Sequence, residues 1–195
     1  MALSRTAIVQ GLQQLVGAAN VVTDEQELKR SSIDRLRLYE DVHGLYTRPL
    51  PAAVAMARST QHVADVLRFA NQNRVNVVAR TGRTATEGGL ETAAPDSIVL
   101  DGSAMNRILK IDTYNMQATA ECGVCLQALE DECRKLGVTT GHSPQSKPIA
   151  QMGGLVATRS IGQFSTLYGG IEDMVVGLEA VFADNEPLRG YVLDD

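Results

Sequence analysis

The sequence predicts an α+β fold: a small parallel β-α-β lobe with helices, then an antiparallel strand pair and a long glycine-containing segment. Three observations predict it. A chain of 195 residues, 44% hydrophobic and 21% charged, is long enough to bury a core as one large domain or two small lobes. Two short apolar runs, Val54 to Ala57 and Val75 to Ala79, flank a helical pattern with short connections; this is the order of parallel strands joined by a right-handed crossover. Later, Arg107 to Ile111 and Gln117 to Glu121 flank the turn residues Asp112-Thr113-Tyr114-Asn115, which reads as a hairpin.

From the N-terminus, Ile8, Leu12, Leu15 and Val16 recur at helical spacing within Met1 to Ala19, with Gln10, Gln13 and Gln14 between them. The segment reads as an amphipathic helix, neither a signal peptide nor a membrane span. A polar stretch, Thr23 to Ser32, leads into a segment rich in Arg, Tyr and Pro that ends at Pro49-Leu50-Pro51, where no helix can continue. The first strand follows. Ser59 or Thr60 can then cap a helix whose Val63, Val66, Leu67 and Ala70 share a face. The second strand runs directly into Arg80-Thr81-Gly82-Arg83-Thr84-Ala85-Thr86-Glu87-Gly88-Gly89, and Ile98 to Leu100 makes a third. Leu126, Leu129, Cys133 and Leu136 mark another helix, stopped at Gly137. From Gly141 to Gly170 regular periods fade; Val175 to Ala183 reads as a strand containing Gly177, followed by a turn at Asp184-Asn185-Glu186-Pro187 and a short tail.

The charge balance narrows the ligand. A formal net charge of -5 without a Lys/Arg cluster argues against a nucleic-acid partner, while one or two arginines still suffice for a small anion. Three cysteines, an odd number, point to free thiols and a cytoplasmic protein. Cys122 and Cys125 form a C-x-x-C at a strand-to-helix junction; Cys133 and His142 complete no zinc spacing. A structural role is favoured over a redox one.

The loop Arg80 to Gly89 leaves the carboxyl end of a parallel strand, where ligands bind in such sheets. Gly82, Gly88 and Gly89 let the backbone turn and aim several N–H groups at one anion. Thr81, Thr84 and Thr86 add hydroxyls, and Arg80 and Arg83 add charge, an inventory suited to a pyrophosphate. The same composition also describes a surface turn. Neither the dinucleotide-fold glycine motif nor the nucleoside-triphosphate loop is present. A second candidate comprises Gly141-His142-Ser143-Pro144-Gln145-Ser146, Gln151-Met152-Gly153-Gly154 and Thr158-Arg159-Ser160-Ile161-Gly162-Gln163. Its paired glycines permit close approach to a flat ligand, and Arg159 offers a planar cation.

Taken in order, Pro51-x-x-Val54, Arg80-x-Gly82-x-Thr84 with Gly88-Gly89, Leu100-Asp101, Met105-Asn106-Arg107-Ile108, Glu121-x-Gly123-Val124, Pro144-x-Ser146, Gly153-Gly154, Tyr168-Gly169 and Asp173-x-Val175 resemble the FAD-binding domain of the vanillyl-alcohol oxidase and p-cresol methylhydroxylase superfamily. The resemblance runs from about Leu12 to Asp184. Thr140-Gly141-His142-x-Pro144-x-Ser146 and Ala157-Thr158-Arg159-Ser160 look most like the branch of alkylglycerone-phosphate synthase. The branch of glycolate oxidase and D-lactate or D-2-hydroxyglutarate dehydrogenases is also similar.

The resemblance implies a p-cresol-methylhydroxylase-type FAD-binding domain: an N-terminal helical segment over 1–48, a first FAD-binding lobe over 49–140, and the start of a second, mixed or antiparallel lobe over 141–195. It implies FAD as cofactor, with Ala79, Arg80, Thr81, Gly82, Arg83, Thr84 and Ala85 in the pyrophosphate loop. Residues Gln145 to Gln151 and Thr158 to Ile161 would line the rest of the flavin. Thr81 and Arg83 stand where relatives usually have glycine, and Arg83 could then reach the pyrophosphate directly. Some relatives bind flavin covalently through a histidine after these glycines; Arg83-Thr84-Ala85 holds none, so non-covalent binding is expected. His62 is expected to be inert, and His142 to lie beside the flavin.

In the superfamily a cap domain follows and supplies most substrate contacts, so this chain is expected to be part of a longer protein or the product of a divided gene, and no catalytic residue is assigned within it. The expected activity is flavin-dependent oxidation of a 2-hydroxy acid or similar alcohol. An ether-lipid-type transferase and a non-catalytic fragment are the alternatives. The expected partners are FAD and a small-molecule substrate, and a homo-oligomer is compatible with the sequence.

Overall fold

Ser4 opens the first helix, α1 (Arg5–Val16), by accepting the Ala7 N–H on its hydroxyl. The computed structural model describes residues 3–37, 42–44, 47–182 and 187–191. Ile8, Leu12 and Val16 of α1 are buried against Ala53, Ala55, Val66, Ala70 and Ile98, each large apolar side chain contributing about 1.5–3 kcal/mol by leaving water. Gly11 makes this approach possible: a Cβ there would stand 2.6 Å from the Phe69 ring. The N-terminal helix therefore shares one core with the residues of the parallel-strand unit.

After α1 comes a short strand, β1 (Val21–Val22), and then α2 (Glu25–Arg30), whose start is capped by Asp24 accepting the Glu27 N–H. The sequence predicts only a polar stretch here; the capped helix is six residues long, too short for its periodicity to register. Strand β2 (Ala53–Met56) is followed by α3 (Thr60–Asn73), capped by Ser59, and then β3 (Val77–Arg80) and β4 (Ile98–Asp101).

β2 and β3 are parallel, as the crossover predicts, but β4 lies between them and pairs with both; the sheet order is β1-β2-β4-β3, with β1 antiparallel at one edge. The burial pattern explains the placement. All four residues of β4 are buried, whereas Ala79 of β3 is exposed, so the strand with two apolar faces takes the centre and β3 the edge. The expected second strand, apolar apart from Asn76, is thus only partly buried.

The hairpin β5 (Ile108–Asp112) and β6 (Gln117–Ala120) is antiparallel, and the Asp112 carboxylate accepts the Tyr114 and Asn115 N–H groups within the turn. Helix α4 (Leu126–Lys135) buries Leu126, Leu129 and Cys133, but Leu136 is exposed, beyond the helix end, and Gly137 turns with φ +77°. Residues 141–170 are less irregular than expected. They contain α5 (Met152–Ala157) and α6 (Ser165–Tyr168), followed by α7 (Ile171–Met174), and Leu126, Ala150, Leu155 and Ile171 form a second core cluster.

The last elements are β7 (Gly177–Val181) and β8 (Pro187–Tyr191), paired antiparallel. The expected tail is therefore partly a strand. The expected turn lies mostly outside the described residues. Among the described residues, no helix is long and apolar enough to cross a membrane.

Candidate functional site

The site forms where the carboxyl ends of β3 and β4 meet the 141–163 segment. Arg80, the last residue of β3, is aligned with Asp101, the last of β4. Arg80 Nε donates to Asp101 Oδ2 at 2.6 Å and Nη1 donates to Ser31 Oγ at 2.7 Å; Nη2 lies 3.4 Å from Glu27 Oε1. Both Arg80 and Asp101 side chains are 5% exposed. Arg80 is thus committed to the base of the loop.

Arg83 shares the same acid. Its Nη1 donates to Glu27 Oε1 at 3.1 Å and its Nη2 to the Arg30 carbonyl at 2.8 Å. Burial and the neighbouring Arg80 charge pull its pKa below the ordinary arginine value, with Glu27 opposing them. Its backbone has φ +57°, the left-handed conformation that glycine adopts without penalty. The loop therefore keeps the glycine-type turn at Arg83, while Thr81 does not need positive φ.

Gly82 closes the loop against the second segment. A Cβ there would stand 2.7 Å from the Ile149 carbonyl and 2.9 Å from the Gln151 nitrogen. Gly154 approaches Thr81 in the same way, a Cβ falling 3.0 Å from Thr81 Oγ1, and Gly153 packs on Cys122. The two candidate segments named from the sequence are therefore in contact. Between them lies a cleft of about 590 Å³ lined by Thr84, Thr86, Gln145, Ser146, Pro148, Ile149 and Arg35. The sequence assigns no site role to Arg35, Glu27, Ser31 or Asp101, although Leu100-Asp101 is among the motifs of the family resemblance. The last had a signal: an acid ending an apolar strand, beside an arginine ending the neighbouring one.

The remaining candidates do not line this cleft. Ala79 is exposed on β3, and the Ala85 carbonyl accepts the Arg35 N–H at 3.2 Å. Gly88 turns with φ +78°, its carbonyl accepting the Glu91 N–H, and a Cβ on Gly89 would meet nothing; neither glycine is drawn against the second segment. Pro144 and Ser146 give carbonyls to the N–H groups of Lys147, Ile149 and Ala150, fixing the turn that presents Gln145. Gln151 and Met152 begin α5, and Thr158 Oγ1 donates back to the Gly154 carbonyl at its end. Arg159, at φ +51°, pairs with Glu172 at 3.0 Å instead of pointing a lone cation at a ligand. Gly162 packs on the Ser143 backbone.

His142 is 2% exposed, and its Nε2 lies 3.1 Å from Ser160 Oγ. Burial foremost, with Lys147, lowers its pKa against the opposing pull of Glu172. Cys122 and Cys125 are free thiols that face the carbonyls of Gly102 and Pro148. Burial raises the Cys122 pKa, which disfavours thiolate chemistry. Among the described residues, no cluster suits a metal ion.

A nucleotide-bearing cofactor fits this arrangement. Thr81 Oγ1 and Gln151 Oε1 are buried beside the cleft without a hydrogen-bond partner, a costly state for polar atoms. The backbone at Gly82 and Gly154 leaves no room for side chains, and hydroxyls line the opening. The comparisons with known proteins agree. The family model described as FAD binding domain matches residues 51–190, and the chain belongs to that family.

Over 189 residues it is 65% identical to the uncharacterized FAD-linked oxidoreductase YgcU of Escherichia coli strain K12, covering 97% of this chain and 39% of that protein. It is 30% identical to the mitochondrial D-2-hydroxyglutarate dehydrogenase of Bos taurus, over 87% of this chain and 29% of the relative. The solved structure of an alkyldihydroxyacetonephosphate synthase superposes with a TM-score of 0.86 at 25% identity, covering 96% of this chain and 38% of that one. The chain thus spans well under half the length of these relatives. Its fold is the p-cresol-methylhydroxylase type expected from the sequence.

Proposed function

We propose that this chain holds FAD non-covalently across the cleft between residues 80–89 and 144–154, as part of an FAD-linked oxidoreductase acting on a 2-hydroxy acid or similar alcohol. The observation that carries the reading is the convergence of Thr84, Thr86, Gln145 and Ser146 on one cleft beside the buried, partnerless Thr81 Oγ1 and Gln151 Oε1. The names of the relatives support FAD and redox chemistry; the substrate class rests on the likeness to D-2-hydroxyglutarate dehydrogenase.

In this reading the hydroxyls of Thr81, Thr84 and Ser146 donate to the diphosphate. Gly82 and Gly154 allow the backbone to approach it, and Gln151 and Ser160 border the rest of the cofactor. Bound FAD would supply the two-electron chemistry, and the residues of this chain bind and orient it. The substrate is held mainly by residues outside this chain. Non-covalent attachment is supported by the absence of histidine, cysteine or tyrosine from residues 79–89 and by the raised pKa of half-buried Cys122. Cytoplasmic residence rests on the three free thiols.

Purified protein should carry yellow flavin absorbance that leaves with the supernatant after acid precipitation. Flavin retained in the pellet would overturn the non-covalent reading, and failure to bind added FAD would overturn the proposal itself. A second reading, a redox-neutral transferase, is favoured by the superposition on alkyldihydroxyacetonephosphate synthase. Anaerobic bleaching of the bound flavin by 2-hydroxy acids separates the two: bleaching supports the oxidoreductase, and its absence across a panel of such acids supports the transferase.

A further inference from the structure

We propose that Arg35, and neither Arg80 nor Arg83, is the cation that holds the cofactor's diphosphate in this chain. The inference rests on the FAD reading above and adds a residue from outside the two segments that define the cleft.

The charge count carries it. Arg80 and Arg83 bring two positive charges to the loop, and Glu27 and Asp101, which their guanidinium groups contact, bring two negative ones. Both loop arginines are therefore already matched by acids, and the loop's remaining charged residue, Glu87, is itself negative, so the loop presents no free positive charge to an anion. Arg80 is also sealed beneath it, its side chain 5% exposed. A diphosphate placed among hydroxyls and backbone N–H groups would still lack a counter-charge.

Arg35 supplies one. It lines the same cleft as Thr84, Thr86, Gln145 and Ser146. Among the described residues its side chain has no hydrogen-bond or ion-pair partner, in contrast to both loop arginines. Its position is fixed through the backbone. The Arg35 N–H donates to the Ala85 carbonyl, Asp34 Oδ1 accepts the Leu36 N–H at 2.8 Å, and the Thr92 N–H donates to the Ser32 carbonyl. Ser31, Ser32 and Asp34 are buried. The short turn Arg35–Arg37 is thus pinned to the rim of the loop, so only the Arg35 side chain, not the chain that carries it, has to order around a bound anion.

The consequence is a division of labour. Glu27 and Asp101 use Arg80 and Arg83 to hold the loop in shape; Arg35 recognises the charge.

The test is FAD affinity of the purified protein, by flavin fluorescence titration at low and high salt, for the parent, R35Q, R35K and the surface control R68Q. R35Q should weaken FAD roughly tenfold, the loss expected of one partly exposed charge-assisted contact, and flatten the salt dependence. R35K should stay within about threefold of the parent, R68Q should match it, and the thermal midpoints of the apo proteins should agree. R35Q binding like the parent, or R35K failing as badly as R35Q with an unchanged salt slope, overturns the role of Arg35 while leaving FAD binding intact. A parent protein that binds no FAD overturns both readings.

Discussion

Arg80 Nε and Asp101 Oδ2 meet at 2.6 Å across the last aligned pair of two parallel strands, and both side chains are 95% buried. The pair joins the carboxyl ends of β3 and β4 where the loop departs. An ion pair in such a place does not stabilise by its mere presence, because desolvation offsets the attraction, but losing one partner leaves a buried charge without a counter-ion. Asp101→Ala should lower unfolding free energy by about 3 kcal/mol in urea titration. The double variant Arg80→Met with Asp101→Leu should recover most of it. A single variant as stable as the parent would mean that Ser31 and Glu27 alone satisfy Arg80.

The glycines of the loop should rank by their surroundings. Gly82→Ala places a Cβ against the backbone of Ile149 and Gln151, which cannot give way as a side chain would. It should cost about 1–3 kcal/mol and weaken FAD. Gly88→Ala meets only side-chain ends but sits at φ +78°, a strain of about 1 kcal/mol. Gly89→Ala meets nothing and should change stability by less than about 0.5 kcal/mol. Thermal or chemical melts of the three variants check the order.

Arg83→Ala should alter FAD affinity by less than about threefold, because this guanidinium is taken by Glu27 and the Arg30 carbonyl. With 38% of the Arg83 side chain exposed, the pair contributes at most about 1 kcal/mol. Fluorescence titration decides it: a tenfold loss of affinity would restore the direct salt link that the sequence suggested.

Acid stability should hinge on Glu130. Its side chain is 1% exposed, and burial alone would raise its pKa; the Thr140 hydroxyl and N–H, the Thr139 hydroxyl and Lys147 outweigh that and hold it at about 2, against an ordinary 4.5. The folded pKa is depressed, so the ionised form favours folding. This stability, on the order of 3 kcal/mol, is full above about pH 4.5 and is lost as the pH falls toward 2. Glu130→Gln should therefore be less stable at neutral pH and show a flatter dependence between pH 5 and 2. Equal slopes for both proteins in that window would refute the assignment.

Much of the fold was readable because it depends on short-range chemistry. The α1 stripe of Ile8, Leu12 and Val16, the Ser59 cap, the Asp112 turn and the stop at Gly137 each arise within a few residues. The glycine and threonine loop after β3 and the Gln145 to Gly154 segment stand out as candidate ligand-binding segments for the same reason, and their order in the chain carried the family resemblance. Helix α2 was missed because its six residues hold a single buried apolar side chain, Leu28.

By itself, then, the sequence determined the parallel β-α-β unit and an anion-suited loop at its carboxyl end, since local spacing and residue type specify these; the cofactor class came from the family resemblance carried by the order of the motifs. Only the tertiary structure decided which charges are available. Glu27, Ser31 and Asp101 reach Arg80 across 53, 49 and 21 positions of the chain, and no local pattern records such contacts. Packing converts the two conspicuous arginines of the loop into internal counter-ions. It brings Arg35, inconspicuous in the sequence, to the rim of the cleft.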